Sequence, residues 1–298
     1  MALTADKAQE WHDHYIMVNG IRLHYVETGT GPAVLLLHGF PEFWYSWRYQ
    51  IPALAKAGFR VIALDLRGYN ESAKPVGRKS YRIETLTDDV LGIIQTVVQG
   101  RCVVVGHDWG GAIAWNLAMR YPQAVEKLIV LNAPHPHCFF RELQTLRQLR
   151  KSWYMFFFQL PRLPEMLFRA GGYAWLDHIL RSEPVRRDAF TEADIAFYKK
   201  ALAQPGAITA AINYYRALFQ RNVFELKRQI GPVDLPTLLI WGEQDRYLGL
   251  NLTQRFERWV PDIRIERIPE ASHWVQADAP GRVNQLIIDF LRSGRGAV

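Results

Sequence analysis

The stretch Val103-Val104-Val105-Gly106-His107-Asp108-Trp109-Gly110-Gly111-Ala112 decides how this 298-residue chain is read. Three β-branched residues in a row are the text of a strand buried on both faces of a parallel sheet. Glycines two residues to either side of Asp108 let the strand and the next element approach closely. From residue 112 to 121 the pattern turns helical. Such a turn holds its central side chain out at the carboxyl edge of the sheet on strained backbone. Asp at a strand-to-helix junction is also a common helix N-cap, and at this point both readings stand.

Outward from this turn, strand and helix signals alternate. Residues 14–18 and 21–26 flank Asn19-Gly20 and read as a hairpin. Apolar runs at 33–38, 59–65, 127–131, 237–241 and 264–268 read as further strands. Residues 85–98 and 280–291 read as helices. The expectation is an α/β fold with a mostly parallel sheet and helices on both faces. Strand signals vanish between Ala133 and about Phe224, where aromatic-rich helical text takes over. This predicts a core of residues 1–133 and 225–298 and an inserted α-helical cap of residues 134–224 over the sheet's carboxyl edge.

Two further residues belong at that edge. Asp245 follows the strand at 237–241, and His273 follows the last strand. The chain order of nucleophile, acid and histidine suits a triad in which His273 is a general base for water and Asp245 fixes its tautomer. A carboxylate nucleophile constrains the chemistry. Serine attacking a saturated carbon leaves an ether, whereas Asp108 leaves an ester that water can cleave. The text therefore points to displacement at an sp3 carbon, as in an epoxide or an alkyl halide. The sharp turn of His38-Gly39-Phe40-Pro41-Glu42 can aim backbone N–H groups at the site. Phe40 and Trp109 are the expected oxyanion-hole donors. His107, His135 and His137 read as structural. No metal-ligand spacing occurs, so neither metal nor cofactor is expected.

Composition narrows the partners. Residues 134–224 hold 13 Lys/Arg against 7 Asp/Glu, most of the net charge of +7. These arginines are scattered among apolar residues, without a nucleic-acid motif. Cys102 and Cys138 are too few for a disulfide framework. Residues 1–7 show no signal-peptide pattern, and no apolar run is long enough to span a bilayer. The expectation is a cytoplasmic protein with a small apolar substrate and water as partners, and with neither nucleic acid nor membrane among them.

Gly106-His107-Asp108-Trp109-Gly110-Gly111, His38-Gly39-Phe40-Pro41-Glu42 and Ser272-His273-Trp274 together resemble the soluble α/β-hydrolase-fold epoxide hydrolases, over nearly the whole chain. The resemblance implies a lidded fold, two-step hydrolysis of epoxides to vicinal diols and a cis peptide between Phe40 and Pro41. It implies two cap tyrosines that hold the epoxide oxygen, matched here by Tyr154 and Tyr215, with Tyr214 the nearest alternative to the second. Aromatic residues Phe156, Phe157, Phe158, Trp175 and Phe190 suggest an apolar tunnel.

Asn70 departs from the family pattern, which usually has Gly there. Some relatives place the acid after the strand at 127–131, where this chain has Asn132, so Asp245 is preferred. Haloalkane dehalogenases use the same Asp. They typically carry Asn where Phe40 stands, and here two phenols enter from the cap. A Ser-dependent esterase lacks its nucleophile here. A non-catalytic ligand-binding relative would typically have lost triad members, and all are present.

Overall fold

The computed structural model describes residues 11–255 and 258–293. Residues 1–7, where the sequence shows no signal-peptide pattern, lie outside them. Eight strands form one sheet in the order β1-β2-β4-β3-β5-β6-β7-β8. They are β1 His12–Val18, β2 Ile21–Thr28, β3 Ala33–Leu37, β4 Arg60–Asp65, β5 Cys102–His107, β6 Val125–Leu131, β7 Thr237–Gly242 and β8 Ile263–Ile268. Strands β3 to β8 pair in parallel, while β2 runs antiparallel to both β1 and β4. Asn19 and Gly20 both take positive φ, the backbone that a two-residue hairpin needs.

Helices α1 Gln50–Lys56, α2 Ile83–Ile93 and α3 Trp109–Arg120 connect the first strands. Between β6 and β7 lie α4 Pro136–Glu142, α5 Leu146–Lys151, α6 Trp153–Phe157, α7 Leu163–Ser182, α8 Glu192–Leu202, α9 Ala207–Leu218 and α10 Val223–Arg228. Backbone at 170–173 is non-helical and divides α7 in two. The expected return to the core at 225 falls inside α10. Short α11 Val275–Asp278 and α12 Pro280–Arg292 close the fold. No helix among the described residues is long and apolar enough to cross a membrane.

Alternation along β5 distributes the layers. Gly106 faces the start of α3. His107 faces the other way, toward Gln276 of α11. On that second side Gln50 of α1 donates to the Gln276 carbonyl at 3.1 Å, and α1 packs on α12. Helix α12 buries Val283, Leu286, Ile287, Phe290 and Leu291, the i, i+3, i+4 stripe of a helix lying on a sheet. At the amino edge of the sheet, Lys127 of β6 donates to the Phe290 and Leu291 carbonyls at 2.7 and 3.3 Å and also bonds Ser293. It thereby satisfies orphan acceptors at the end of α12.

Helix α3 begins at Trp109, directly after Asp108, rather than at Ala112. Gly110 makes the close approach expected of it in sequence, and Gly111 adds a second contact surface, against Ala133 and Val130. A Cβ on Gly110 would sit 2.1 Å from the Leu37 carbonyl oxygen, so only glycine lets the first turn of α3 reach β3. Gly110→Ala should therefore destabilise the fold by about 1–3 kcal/mol or more through overpacking. At Gly100 an added Cβ would meet nothing within 4 Å, so Ala there should cost no more than about 0.5 kcal/mol. Urea unfolding of the two variants checks this; equal losses would refute the packing account.

Candidate active site

Asp108 occupies the turn from β5 to α3 with φ 50° and ψ −118°, a conformation costly for a residue with a side chain. Its carboxylate does not cap α3, which removes the N-cap reading. Oδ1 instead accepts the Phe40 N–H at 2.8 Å, and Oδ2 lies 3.6 Å from His273 Nε2. That separation is an ion pair rather than a hydrogen bond. The Phe40–Pro41 peptide is cis. Trp109, the first residue of α3, lines the cavity beside Asp108. Among the described contacts, Phe40 alone gives the carboxylate a backbone N–H.

His273 Nδ1 meets Asp245 Oδ2 at 2.7 Å. Asp245 Oδ1 accepts the backbone N–H of Tyr247 and of Leu248 at 2.7 and 2.8 Å. Asn132 donates to Asp245 Oδ2 at 2.8 Å, and its own oxygen accepts the Gly242 N–H at 2.9 Å. Asn132, directly after β6, thus ties the Asp245 carboxylate to the end of β7.

Burial alone would strip the proton from His273. The charges of Asp245 and Asp108 outweigh it and raise the imidazole well above its usual range. Burial would likewise protonate Asp108, but His273 and the Phe40 N–H hold its carboxyl below the ordinary value. Burial also opposes ionisation of Asp245, whose carboxyl is nonetheless lowered by His273, Asn132 and the Leu248 N–H.

Tyr154 and Tyr215 line the same cavity as Asp108, with ring centroids 5.6 Å apart. Burial, followed by the Asp108 charge, pushes both phenols up, so both carry their protons at neutral pH. Tyr214 is excluded from this role, because its hydroxyl donates to the Arg67 carbonyl at 2.7 Å in the core.

The expected tunnel wall is corrected. Phe156, Phe157, Phe158, Trp175 and Phe190 do not line the cavity; Ala112, Met119, Phe139, Phe140, Met155 and Leu226 are among those that do. Phe158 and Trp175 pack instead on Phe40, at 5.6 and 6.3 Å between centroids, and Phe190 packs on Tyr198 and Trp274. Composition shows that a segment is aromatic but not which way each ring turns. The cavity encloses about 960 Å³ of empty space, part of it open to solvent.

Sequence reasoning missed the support behind His273. His107 Nε2 lies 2.8 Å from the His273 carbonyl oxygen; a carbonyl only accepts, so this nitrogen carries a hydrogen. His107 Nδ1 meets buried Glu42 at 2.8 Å, and Gln276 reaches both Glu42 oxygens at 3.3 Å. The signal was Glu42 itself, a carboxylate placed directly after Pro41 in an otherwise apolar turn. His135 accepts the His137 N–H at the start of α4, and His137 stacks on Trp259 at 4.6 Å. Asn70 takes φ 38° and donates to Asp65 at 2.8 Å, so the left-handed turn survives without glycine. Among the described residues, no group of three His, Cys, Asp or Glu side chains is placed to hold a metal ion.

Residues 32–280 match the family model described as alpha/beta hydrolase fold. The chain is 44% identical over 286 residues to the AB hydrolase superfamily protein YfhM of Bacillus subtilis, covering 94% of this chain and 97% of that protein. It is 42% identical to epoxide hydrolase 4 of Homo sapiens, covering 92% of this chain and 76% of that one. Among solved structures, an inhibitor complex of the Bacillus megaterium epoxide hydrolase superposes with a TM-score of 0.86 at 36% identity, covering 93% and 99% of the two chains. A mutant of that enzyme was solved with its product, (R)-3-[1]naphthyloxy-propane-1,2-diol, with a TM-score of 0.87 at the same identity and coverage.

The raised imidazole has a thermodynamic consequence. A group whose pKa is higher folded than unfolded stabilises the fold fully below its unfolded pKa, about 6.5 for His, and loses that contribution as pH rises through the folded value. Wild-type stability should therefore fall from about pH 6.5 upward, and in Asp108→Asn, which removes one of the two carboxylates, the fall should end at a lower pH. Urea unfolding at stepped pH locates the end of the fall in each protein; the same end point in both would mean that Asp108 does not hold the His273 proton.

Proposed function

Because the chain belongs to the alpha/beta-hydrolase fold family, and within it to the epoxide hydrolases, we propose that it opens epoxides to vicinal diols through a covalent ester on Asp108. One observation carries this reading. A carboxylate on strained backbone has one oxygen on the Phe40 N–H and the other toward His273, in a cavity that two protonated phenols also line.

Asp108 Oδ2, free of the Phe40 N–H, attacks an epoxide carbon. The carbon–oxygen bond breaks, and its electron pair goes to the epoxide oxygen, which takes a proton from Tyr154 or Tyr215. The resulting phenolate is the strongest base in the cavity, and the proton resting on His273 restores it through water. Alkylation has by then neutralised Asp108, one of the two charges holding that proton. Neutral His273 next takes a proton from water, whose oxygen adds to the Asp108 carboxyl carbon. The oxyanion forms on Oδ1, where the Phe40 N–H already points and Trp109 supplies the second donor. The Cγ–Oδ2 bond then breaks, the diol leaves with Oδ2 and a proton, and Asp108 and the imidazolium are restored. Asp245 holds the ring and balances its charge throughout.

Residues 134–224 serve as the lid that brings the phenols over the core of residues 1–133 and 225–298. The cavity also suggests how the substrate is shaped. It runs from Asp108 along α3 toward α4 and the end of α10. The opposite side is filled by Phe158, Phe168 and Trp175 stacked around Phe40, with Phe168 and Trp175 centroids only 4.1 Å apart. An epoxide with its apolar bulk on one carbon fits this shape. The product named for the Bacillus megaterium enzyme has that pattern.

Replacing His273 by Gln should leave ester formation possible and block its hydrolysis. Intact-protein mass spectrometry should then show Asp108 carrying the full mass of the epoxide, more readily for a terminal aryl epoxide than for its trans-disubstituted analogue. An alkyl halide would add its mass less HX, and no adduct with any epoxide would end the proposal.

Tyr154→Phe and Tyr215→Phe should each slow adduct formation, by about 10²–10⁴-fold if one phenol cannot replace the other. Hydrolysis of the preformed ester should change little in either variant. Stopped-flow fluorescence separates the two steps, and unchanged alkylation in both variants would remove the phenols from the mechanism.

A further inference from the structure

The helical segment exposes large apolar side chains in close succession along α6 and the first half of α7. Trp153 and Phe156 of α6 are 62% and 49% exposed, and Met166 and Leu167 of α7 are 66% and 52% exposed. Leu163 precedes these two by one helical turn and shares their face. Phe156 touches exposed Phe219 at 5.4 Å between centroids, and Phe224, beyond it in α10, is 78% exposed. Single exposed apolar residues need no explanation, but a contiguous group marks a surface that meets something.

Along α5, α6 and the first half of α7 the exposed charges have one sign, whereas Glu225, beside Phe224, is an exposed carboxylate 3.6 Å from Arg221. Between residues 143 and 176 the only acidic residue is Glu165, and it is buried in an ion pair with Arg216. Over the same stretch Arg147, Arg150, Arg162 and Arg169 are exposed. Exposed Trp, Phe and Leu rimmed by unopposed arginines is the composition of a segment that lies in the headgroup region of an anionic bilayer. The face also borders the cavity. Met155 and Leu218, next in sequence to Phe156 and Phe219, line its wall, as does Leu226 two residues after Phe224.

We infer that this face seats the protein on the surface of an anionic lipid bilayer, with the cavity opening toward the membrane. The absence of a spanning segment in the sequence is no obstacle, because an interfacial face needs none. An apolar substrate concentrates in the bilayer, so docking there shortens its path into the cavity. A second copy of the chain is the rival occupant, but two such faces would bring their arginines together unpaired.

Flotation of the full chain with vesicles tests this. Binding is expected to phosphatidylcholine–phosphatidylglycerol vesicles and much less to phosphatidylcholine alone, and it should weaken as salt rises. The charge reversal Arg162→Glu with Arg169→Glu should lower partitioning by more than about tenfold, and Met166→Ser with Leu167→Ser should lower it as well. Both variants should keep wild-type turnover of a water-soluble epoxide, which shows that they are folded. Vesicle binding needs no turnover, so failure here and failure of the proposed chemistry are separable. No flotation of the wild type with anionic vesicles, or equal flotation of the charge-reversed variant, overturns the inference. So does a wild-type dimer in sedimentation that the Met166→Ser, Leu167→Ser variant converts to monomer.

Discussion

One imidazole ring held between the buried carboxylate of Asp245 and the largely buried one of Asp108 is the constraint from which the rest of the site follows. Separately, each of the three groups would lose its charge on burial. Together they keep it, provided that the geometry stays fixed at 2.7 Å on one side of His273 and 3.6 Å on the other. Much of the surrounding structure maintains that geometry. Asn132 and two backbone N–H groups hold Asp245. His107 holds the backbone of His273, and Glu42 and Gln276 hold His107. The strained turn at Asp108 is tolerated because Gly106 and Gly110 let β5, α3 and the end of β3 pack closely around its backbone.

The sheet was legible in the sequence because a buried parallel strand must be written in β-branched and aliphatic residues, and little else in a chain is. The approach of Asp108, Asp245 and His273 followed from the same logic, since residues just after parallel strands share an edge. The start of α3 was misread because Gly110 serves two demands at once. It weakens a helix locally and permits the packing that holds that helix in place. Which aromatic rings face the cavity was not legible, because a helix with apolar residues on several faces does not say which face meets the core. The network from Glu42 through His107 was hidden for a different reason. It joins positions 42, 107 and 276 through contacts that no local pattern encodes.

The inserted helices do more than cover an opening. Tyr198 reaches Glu42 from α8 at 3.4 Å, Tyr45 reaches Asp194 at 2.8 Å, and Lys151 donates to the Asp245 carbonyl at 2.6 Å. The loops that carry the site are therefore bonded to α5 and α8, which pack on α6 and α9, the helices that supply Tyr154 and Tyr215. A shift of the insertion would move the phenols and disturb the support of Glu42 and Asp245 in one motion.

The staple formed by Lys127 has a practical corollary. It fixes Ser293 at the amino edge of the sheet, the pole farthest from the strand ends that carry Asp108, Asp245 and His273. A tether attached beyond that point would leave the molecule facing backward. Coupled through it to a solid support, the protein would stand with its mouth outward, and reactant would reach it without crossing the matrix.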